Sequence, residues 1–398
     1  MEITDKYHSH FHKFNDENLR VCVSKLEMGK LLVFPSNSTY IIGVNALNKE
    51  SIDYLKEITK TKDEELIMFG LSWDLLRLLF PISNELYNKV NDLIQKYSSE
   101  EMVINFKIKE INYKICFPKD PIFKRILELF KLPIIGTKAT NLQYGFDCIN
   151  SEMTEFTFKN YGIDVLLNDN PCKYAFDYTY INVDLNDEIP RIFIPGFNFN
   201  IFNKYCKVDI NPENIKTINF AKKKKSFMFN FIDYDNSNDK LEFTKEIQNA
   251  VMMYINESIV IDFSGKNKIL SFKAAAYVDL SLSGDINEAL FNIYNVLYQT
   301  IDVDVSNILF FDYYSNKNEY IQLYYIIYKY CEGKQLAIPY QCFSEEERDR
   351  WAYSDIDNEL IEYERIEDNE RIEEQLEDYQ EQELDIINEE EIIQEIND

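Results

Sequence analysis

The sequence predicts an α/β protein: an open, mixed sheet flanked by helices, then a smaller α/β unit, then an acidic tail. Three observations predict it. Up to Gly196, short strand-like runs alternate with helix-period runs, the mark of layered strands and helices rather than of a bundle or a sandwich. The alternation fades from about Phe197 to Ser226, where "NPENIKTINFAKKKKS" is polar, and then resumes. Charge is also segregated. The chain carries −27 over 398 residues, yet Glu345 to Asp398 holds 24 acidic residues against 4 arginines, so the body is nearly balanced and the acidity belongs to the tail.

Taken in order, "NLRVCVSKLEMGKLLVFPSNSTYIIGV" reads as a helix, a turn at Gly29 and a strand. In "NKESIDYLKEITKTK", Ile52, Leu55 and Ile58 recur at helical spacing, with Asn48 as N-cap. "WDLLRLLFPISNELYNKVNDLIQKY" predicts two helices split at Pro81, because proline cannot continue the first. "INFKIKEINYKICFP" alternates as a strand or hairpin. "PIFKRILELF" is a short helix, "KLPIIGT" a short strand, and "IDVLLND", "YTYINVDL" and "RIFIPG" are further strands. Hairpin-like and βα segments side by side predict a mixed sheet rather than a doubly wound parallel one. In the second unit "SIVIDFSG" and "ILSFKAAAYVDL" read as strands, and "GDINEALFNIYNVLYQTI" as a helix capped by Asp285 with Leu290, Ile293, Leu297 and Ile301 on one stripe. "NILFFDYY" follows as a strand and "NEYIQLYYIIYKYCEG" as a helix stopped near Gly333. The expected boundaries are an N-terminal extension over 1–17, a first domain over 18–200, a linker with a lysine run over 201–255, a second domain over 256–343, and a tail over 344–398 that is either an amphipathic helix or solvated disorder.

Composition narrows the function. No uncharged run approaches the roughly 18 residues of a membrane span, and "MEITDKYHSH" lacks the apolar core of a signal peptide. Seven cysteines, with no C-x-x-C, read as reduced thiols of a cytoplasmic protein. The three histidines, His8, His10 and His12, would share one face of a strand, but no acidic or cysteine partner stands nearby and no metal site is assigned. Residues 13–398 contain no histidine, so Ser–His and Cys–His hydrolase chemistry is unsupported. What remains is a series of polar knots at strand ends: "PSNSTYIIG", "KTK", "TKATN", "DYTYINVD" and "PRIFIPG". Each alone reads first as a solvated turn; gathered around one cavity, their hydroxyls, amide and lysines would suit a nucleoside triphosphate.

The order of the knots resembles the Sua5/YrdC/YciO family, the threonylcarbamoyl-AMP synthases. That family opens with P-T-D/E-T-x-Y-G-L-G, here "PSNSTYIIG"; continues with a helix ending K-x-R, here "KEITKTK"; and reaches P-L-x-x-x-S-A-N-x-S-G, tracked by "KLPIIGTKATNLQYG" with a one-residue insertion before Asn141. Its V-D-x-x-x-D-G-G, S-T-V-V-D and I-L-R-x-G motifs are followed by "IDVLLNDNPCKYAFDYTYINVDLNDEIPRIFIPG". "NFAK" sits where the family's interdomain loop reads H-Y-A-P, and "GDINEALFNIYNVLYQTIDVDVSNILF" is similar to the Sua5 C-terminal domain. The resemblance runs collinearly from Asn18 to Gln335. It implies a YrdC-like open twisted sheet followed by a Rossmann-like, Sua5-type domain, and a reaction that condenses L-threonine, bicarbonate and ATP into threonylcarbamoyl-AMP and pyrophosphate for tRNA modification. ATP is a substrate, and Mg2+ is its candidate companion. Carried over, Ser36, Ser38 and Tyr40 would line the threonine side; Lys60, Lys62, Asn141, Thr179, Asn182, Arg191 and Gly196 would meet ATP. The lysines Lys222 to Lys225 would offer tRNA or other RNA a salt-dependent, sequence-blind contact, and the tail would suit a basic partner.

The motifs also depart from the pattern. Asn37 replaces the acid, Ile41 a glycine, Lys62 the arginine of K-x-R, Lys138 or Ala139 the serine of S-A-N, Tyr178 the serine of S-T, Ile194 the arginine before Pro195-Gly196, and Asn219 the interdomain histidine. A second reading therefore stands beside the enzyme: a catalytically degenerate protein of the same fold that binds nucleotide or RNA, or serves as an interaction scaffold.

Overall fold

The structure, a computed structural model, describes residues 8–210, 224–232, 244–312 and 320–348. All but 340–348 belong to one compact unit; in the other, Tyr340–Cys342 form a single 3-10 turn.

In the compact unit the first sheet is built from β1 (His10–Lys13), β2 (Leu32–Phe34), β3 (Ile41–Asn45), β4 (Ile67–Phe69), β5 (Val103–Ile108), β6 (Ile111–Cys116), β7 (Ile134–Lys138), β8 (Asp164–Leu167), β9 (Tyr180–Val183), β10 (Arg191–Ile194) and β11 (Lys207–Val208). Their order is β1-β8-β2-β3-β7-β4-β6-β5-β9-β10-β11, with β2–β3, β3–β7, β4–β7, β5–β6 and β9–β10 antiparallel and the other pairs parallel. The sheet is thus mixed and open, as its hairpin and βα segments predict. Its helices are α1 (Asp16–Glu27), α2 (Lys49–Thr59), α3 (Trp73–Leu76), α4 (Asn84–Lys96), α5 (Pro121–Phe130), α6 (Ser151–Phe158) and α7 (Phe199–Phe202). The caps are local and legible: Asn48 Oδ1 accepts from Ser51 N, and Asp120 Oδ1 from Phe123 N with Pro121 at the first helical position.

Strand alternation sends neighbouring side chains to opposite faces. Phe34 and Ile41 pack with α1 and α5, Phe34 meeting Phe123 at 4.6 Å between ring centroids. Ile104 and Phe106 of β5 pack with α4, while Asn105 between them faces a cavity on the other side. Ile42 and its register partner Thr137 also face that cavity.

The second sheet holds β12 (Lys225–Ile232), β13 (Ser258–Asp262), β14 (Ala276–Asp279), β15 (Asn307–Phe311) and β16 (Gln335–Pro339), all parallel, in the order β14-β13-β15-β12-β16. Its helices are α8 (Lys245–Asn256), α9 (Ile286–Gln299) and α10 (Ile321–Cys331). Asp285 caps α9 as expected. α10 is buried almost all round, because it lies between its own sheet and the first domain. One apolar core runs through both halves, from Val33, Ile42 and Phe146 to Ile293, Leu297 and Ile327. Polar contacts reinforce it: Gln322 Nε2 donates to Gly196 O (2.7 Å), Tyr298 OH to Glu152 Oε1 (3.1 Å) and Tyr330 OH to Tyr144 O (3.2 Å).

Four local readings change. The stretch 201–255 is not all linker: it supplies β11, β12 and α8, and β12 lies between β15 and β16. The lysine run Lys222 to Lys225 is split accordingly. Lys222 and Lys223 lie outside the described residues, as does Asn219, whereas Lys225 begins β12 and Lys224 Nζ donates to Val303 O and Val305 O. "ILSFKAAAYVDL" is a 3-10 turn over Lys268–Phe272 followed by β14, not one strand. The helix α6 also stands where no element was expected. The tail beyond residue 348 lies outside the described residues.

Candidate functional site

The cavity has a volume of about 730 Å³ and is walled by both halves of the compact unit. From the first sheet come Asn105, Lys114, Lys138, Tyr180, Phe193 and Ile194; from the end of α2, Lys60; from the loops, Asp147 and Asp177. α9 contributes Tyr294. α10 contributes Tyr325, Ile326, Lys329 and Tyr330, whose spacing places them on one helical face.

At its centre Lys138, the last residue of β7, is clamped between two carboxylates. Its Nζ lies 2.5 Å from Asp147 Oδ2 and 2.7 Å from Asp177 Oδ2. Thr140 Oγ1 donates to Asp147 Oδ1 at 2.5 Å, and the bridge between Thr140 and Asp147 fixes that loop. Burial works against the charge of Lys138, but the two aspartates outweigh it and hold the ammonium well above the usual lysine range. Burial likewise opposes ionisation of Asp147, and Lys138, Lys329 and their hydrogen-bonding neighbours overcome it and lower its pKa. The second oxygen of Asp177, Oδ1, is buried without a hydrogen-bond partner.

Two other cavity lysines are differently placed. Lys60 and Lys329 make no ion pair or side-chain hydrogen bond among the described residues. Lys60 ends α2 in the left-handed region (φ 56°), a conformation that costs a non-glycine residue about 1 kcal/mol or more. Lys329 is part-buried; burial and then the nearby Lys138 push its pKa below the usual range, with Asp177 and Asp147 pulling the other way.

The residues expected around threonine are not on the cavity wall. Ser36, Ser38 and Tyr40 are buried to 1 % exposure or less and do not line the cavity. Their hydroxyls are engaged by the protein. Ser36 Oγ donates to Thr39 O (2.6 Å) and accepts from Ser38 N and Tyr178 OH; Ser38 Oγ donates to Phe176 O (2.7 Å); Tyr40 OH accepts from Asn168 N (3.0 Å). Asn37 Nδ2 donates to Glu101 Oε2 at 2.8 Å. Burial raises the pKa of Glu101 to about 7, against the lowering pull of the Asn37 hydrogen bond.

Of the residues expected around ATP, Lys60 lines the cavity and the others do not. Lys62 is exposed, its N–H donating to Glu65 Oε2. Asn141 shapes a turn: its Oδ1 accepts from Gln143 N and Tyr144 N, and its Nδ2 donates to Thr157 Oγ1. Thr179 Oγ1 donates to Phe197 O and accepts from Gly196 N. Asn182 Oδ1 accepts from Asn105 Nδ2, and it is Asn105 that reaches the cavity. Arg191 turns outward to Asp187 and Asp209. Gly196 holds its position for packing: a Cβ there would lie 2.0 Å from the carbonyl carbon of Tyr178.

Sequence reading passed over Lys138, Asp147, Asp177 and Lys329 as site residues. For Lys329 a signal existed, since it is the sole charge in "IQLYYIIYKYC". Lys138 had a weaker one, its place in the "TKATN" knot. Among the described residues no three His, Cys, Asp or Glu side chains converge as a metal-ligand set; His12 Nε2 instead lies 3.0 Å from Asp164 Oδ1. No described helix is long and apolar enough to cross a membrane.

Comparisons with known proteins converge on one family. P. abyssi Sua5, solved in complex with L-threonine, superposes with a TM-score of 0.61 at 14 % identity, covering 83 % of this chain and 99 % of that one. A double-substitution variant of P. abyssi Sua5 gives 0.62 at 15 % identity with the same coverage. The two-part fold is therefore Sua5-like over both sheets. No protein of curated function matches the chain at the sequence level. The model of the Sua5/YciO/YrdC family, described as "Telomere recombination", matches residues 24–193. The stretch matched by the Sua5/YciO/YrdC family model carries β2 to β9 and one wall of the cavity.

Proposed function

We propose that this chain is a threonylcarbamoyl-AMP-synthase-type protein whose cavity takes ATP, with L-threonine and bicarbonate as co-substrates and pyrophosphate as the second product. One observation carries the reading: lysines and tyrosines from both halves of a Sua5-like fold wall a single cavity of about 730 Å³. Loss of pyrophosphate from ATP needs a nucleophile at the α-phosphorus and cations on the leaving phosphates. It needs no imidazole, which residues 13–398 do not contain. Lys60 is the cation for that role, and Tyr180, Tyr325 and Tyr330 offer ring surface to a base or ribose. Asp147 and Asp177 are engaged by Lys138, so Mg2+ would arrive with the phosphates rather than in a cage of these carboxylates.

A second reading has its own support. The Ser36–Tyr40 knot is internally satisfied and Lys138 is locked, an arrangement suited to a protein that holds a nucleotide without condensing threonine. One assay separates the two. Purified chain given ATP, bicarbonate and threonine releases pyrophosphate in a threonine-dependent manner if the synthase reading holds. ATP binding by calorimetry with no threonine-dependent pyrophosphate assigns the chain to the second reading, and no ATP binding ends both.

A further inference from the structure

We propose that Lys329 on α10 is a phosphate-binding residue, so that the second half of the molecule supplies a cation that, with Lys60, clamps the phosphate chain of a nucleoside triphosphate across the cavity. The inference rests on the nucleotide reading of the cavity and says which residue of the C-terminal half serves it.

Three observations lead there. First, α10 is almost wholly buried, and Lys329 is the one charged residue in its eleven. Placing an ammonium on such a face is unfavourable unless it is paired or hydrogen-bonded. Among the described residues it has neither an ion pair nor a side-chain hydrogen bond, and it lines the cavity. Second, among the described residues no carboxylate of the cavity pairs with Lys329, and Asp177 Oδ1 keeps its acceptor capacity. Asp147 and Asp177 both hold Lys138, and Thr140 takes another oxygen of Asp147. Glu64, Glu65 and Asp209 also line the cavity, but none of them pairs with Lys329, so its ammonium stands uncommitted on the cavity wall. Third, the facing wall of the first sheet lacks a cation where β10 meets the cavity: the residues there are Phe193 and Ile194, and Arg191 is turned out to Asp187 and Asp209. A phosphate chain held by Lys60 from one half would find its second cation on α10. A polyanion suits this pair because each oxygen accepts charge-assisted hydrogen bonds, and a flexible ammonium adapts its reach.

The test is calorimetric titration of the full chain with ATP and, separately, with tripolyphosphate. Wild-type protein binds ATP. Lys329→Met, which keeps length and apolar bulk, weakens it by about ten- to a hundredfold, the range for one charge-assisted hydrogen bond, while Lys329→Arg retains most of it. If tripolyphosphate binds and shows the same loss, the site reads the phosphates alone; if ATP alone binds, it reads a nucleotide. Wild-type affinity in Lys329→Met overturns the role of Lys329 and leaves the nucleotide cavity standing. Absence of ATP binding in the wild type overturns both. Should Lys329→Met fail to fold by circular dichroism, Lys329→Gln is titrated in its place, and wild-type affinity there overturns the proposal equally.

Discussion

The Ser36–Tyr40 knot and the lysine cavity are both polar and both sit on stretches that resemble family motifs, but the knot is buried whereas Lys60 is exposed and Lys329 part-buried. They differ in how their polar groups are satisfied. In the knot every hydroxyl has a protein partner, with Ser36 taking Tyr178 OH, Ser38 the Phe176 carbonyl and Tyr40 the Asn168 N–H. In the cavity Lys138 is matched by two aspartates while Lys60 and Lys329 are not matched by any described side chain. A buried polar group that has its partner rigidifies the fold; a part-buried one that lacks it, as Lys329 does, keeps hydrogen-bonding capacity for a ligand. Motif position alone would have ranked the two regions the other way.

Three experiments break or sharpen this contrast, from the largest effect down. Lys138→Met leaves Asp147 and Asp177 buried without their cation, and should destabilise the chain by about 3–5 kcal/mol in urea unfolding. A change below about 1 kcal/mol would mean that the clamp is not formed. Next is Glu101, whose burial raises its pKa to about 7 from 4.5. A carboxyl raised in the folded state binds its proton more tightly there than when unfolded. Its contribution is therefore complete below about pH 4.5 and lost as pH rises through about 7, a swing of about 3 kcal/mol. Subtracting the Glu101→Gln stability profile from that of the wild type should isolate this fall, and a flat difference would remove Glu101 from the knot's interior. The smallest effect is Ser36→Ala, which strands Tyr178 OH and Ser38 N for about 1–3 kcal/mol with ATP affinity unaltered. If ATP or threonine affinity falls while the unfolding midpoint holds, the knot faces a ligand after all and the contrast is reversed.

Local chemistry made much of the fold readable. Asn48 and Asp285 cap their helices, Pro81 divides two helices, and the run over 103–116 alternates as a hairpin does. What failed to show were elements whose signal is not local. β12 is a parallel strand with a neighbour on each side; such strands lack clean alternation, and its start inside a lysine run made it read as linker. The 3-10 turn over Lys268–Phe272 escaped because five residues with apolar ends fit a strand equally well. The site was legible only in outline. Lys60 lines the cavity wall, whereas Asn141, Thr179 and Gly196 do not line it and hold turns and packing together.

By itself, then, the amino-acid sequence determined the α/β class, most element positions, the segregation of charge into the tail and the resemblance to one family, because these depend on spacing and order along the chain. Which polar groups neutralise one another was decided only by tertiary structure. Lys138 lies 9 residues from Asp147 and 39 from Asp177, and α10 reaches the cavity only when the second sheet packs on the first. A charge in a protein takes its meaning from the partners within a few ångströms, and that distance is a property of the folded chain.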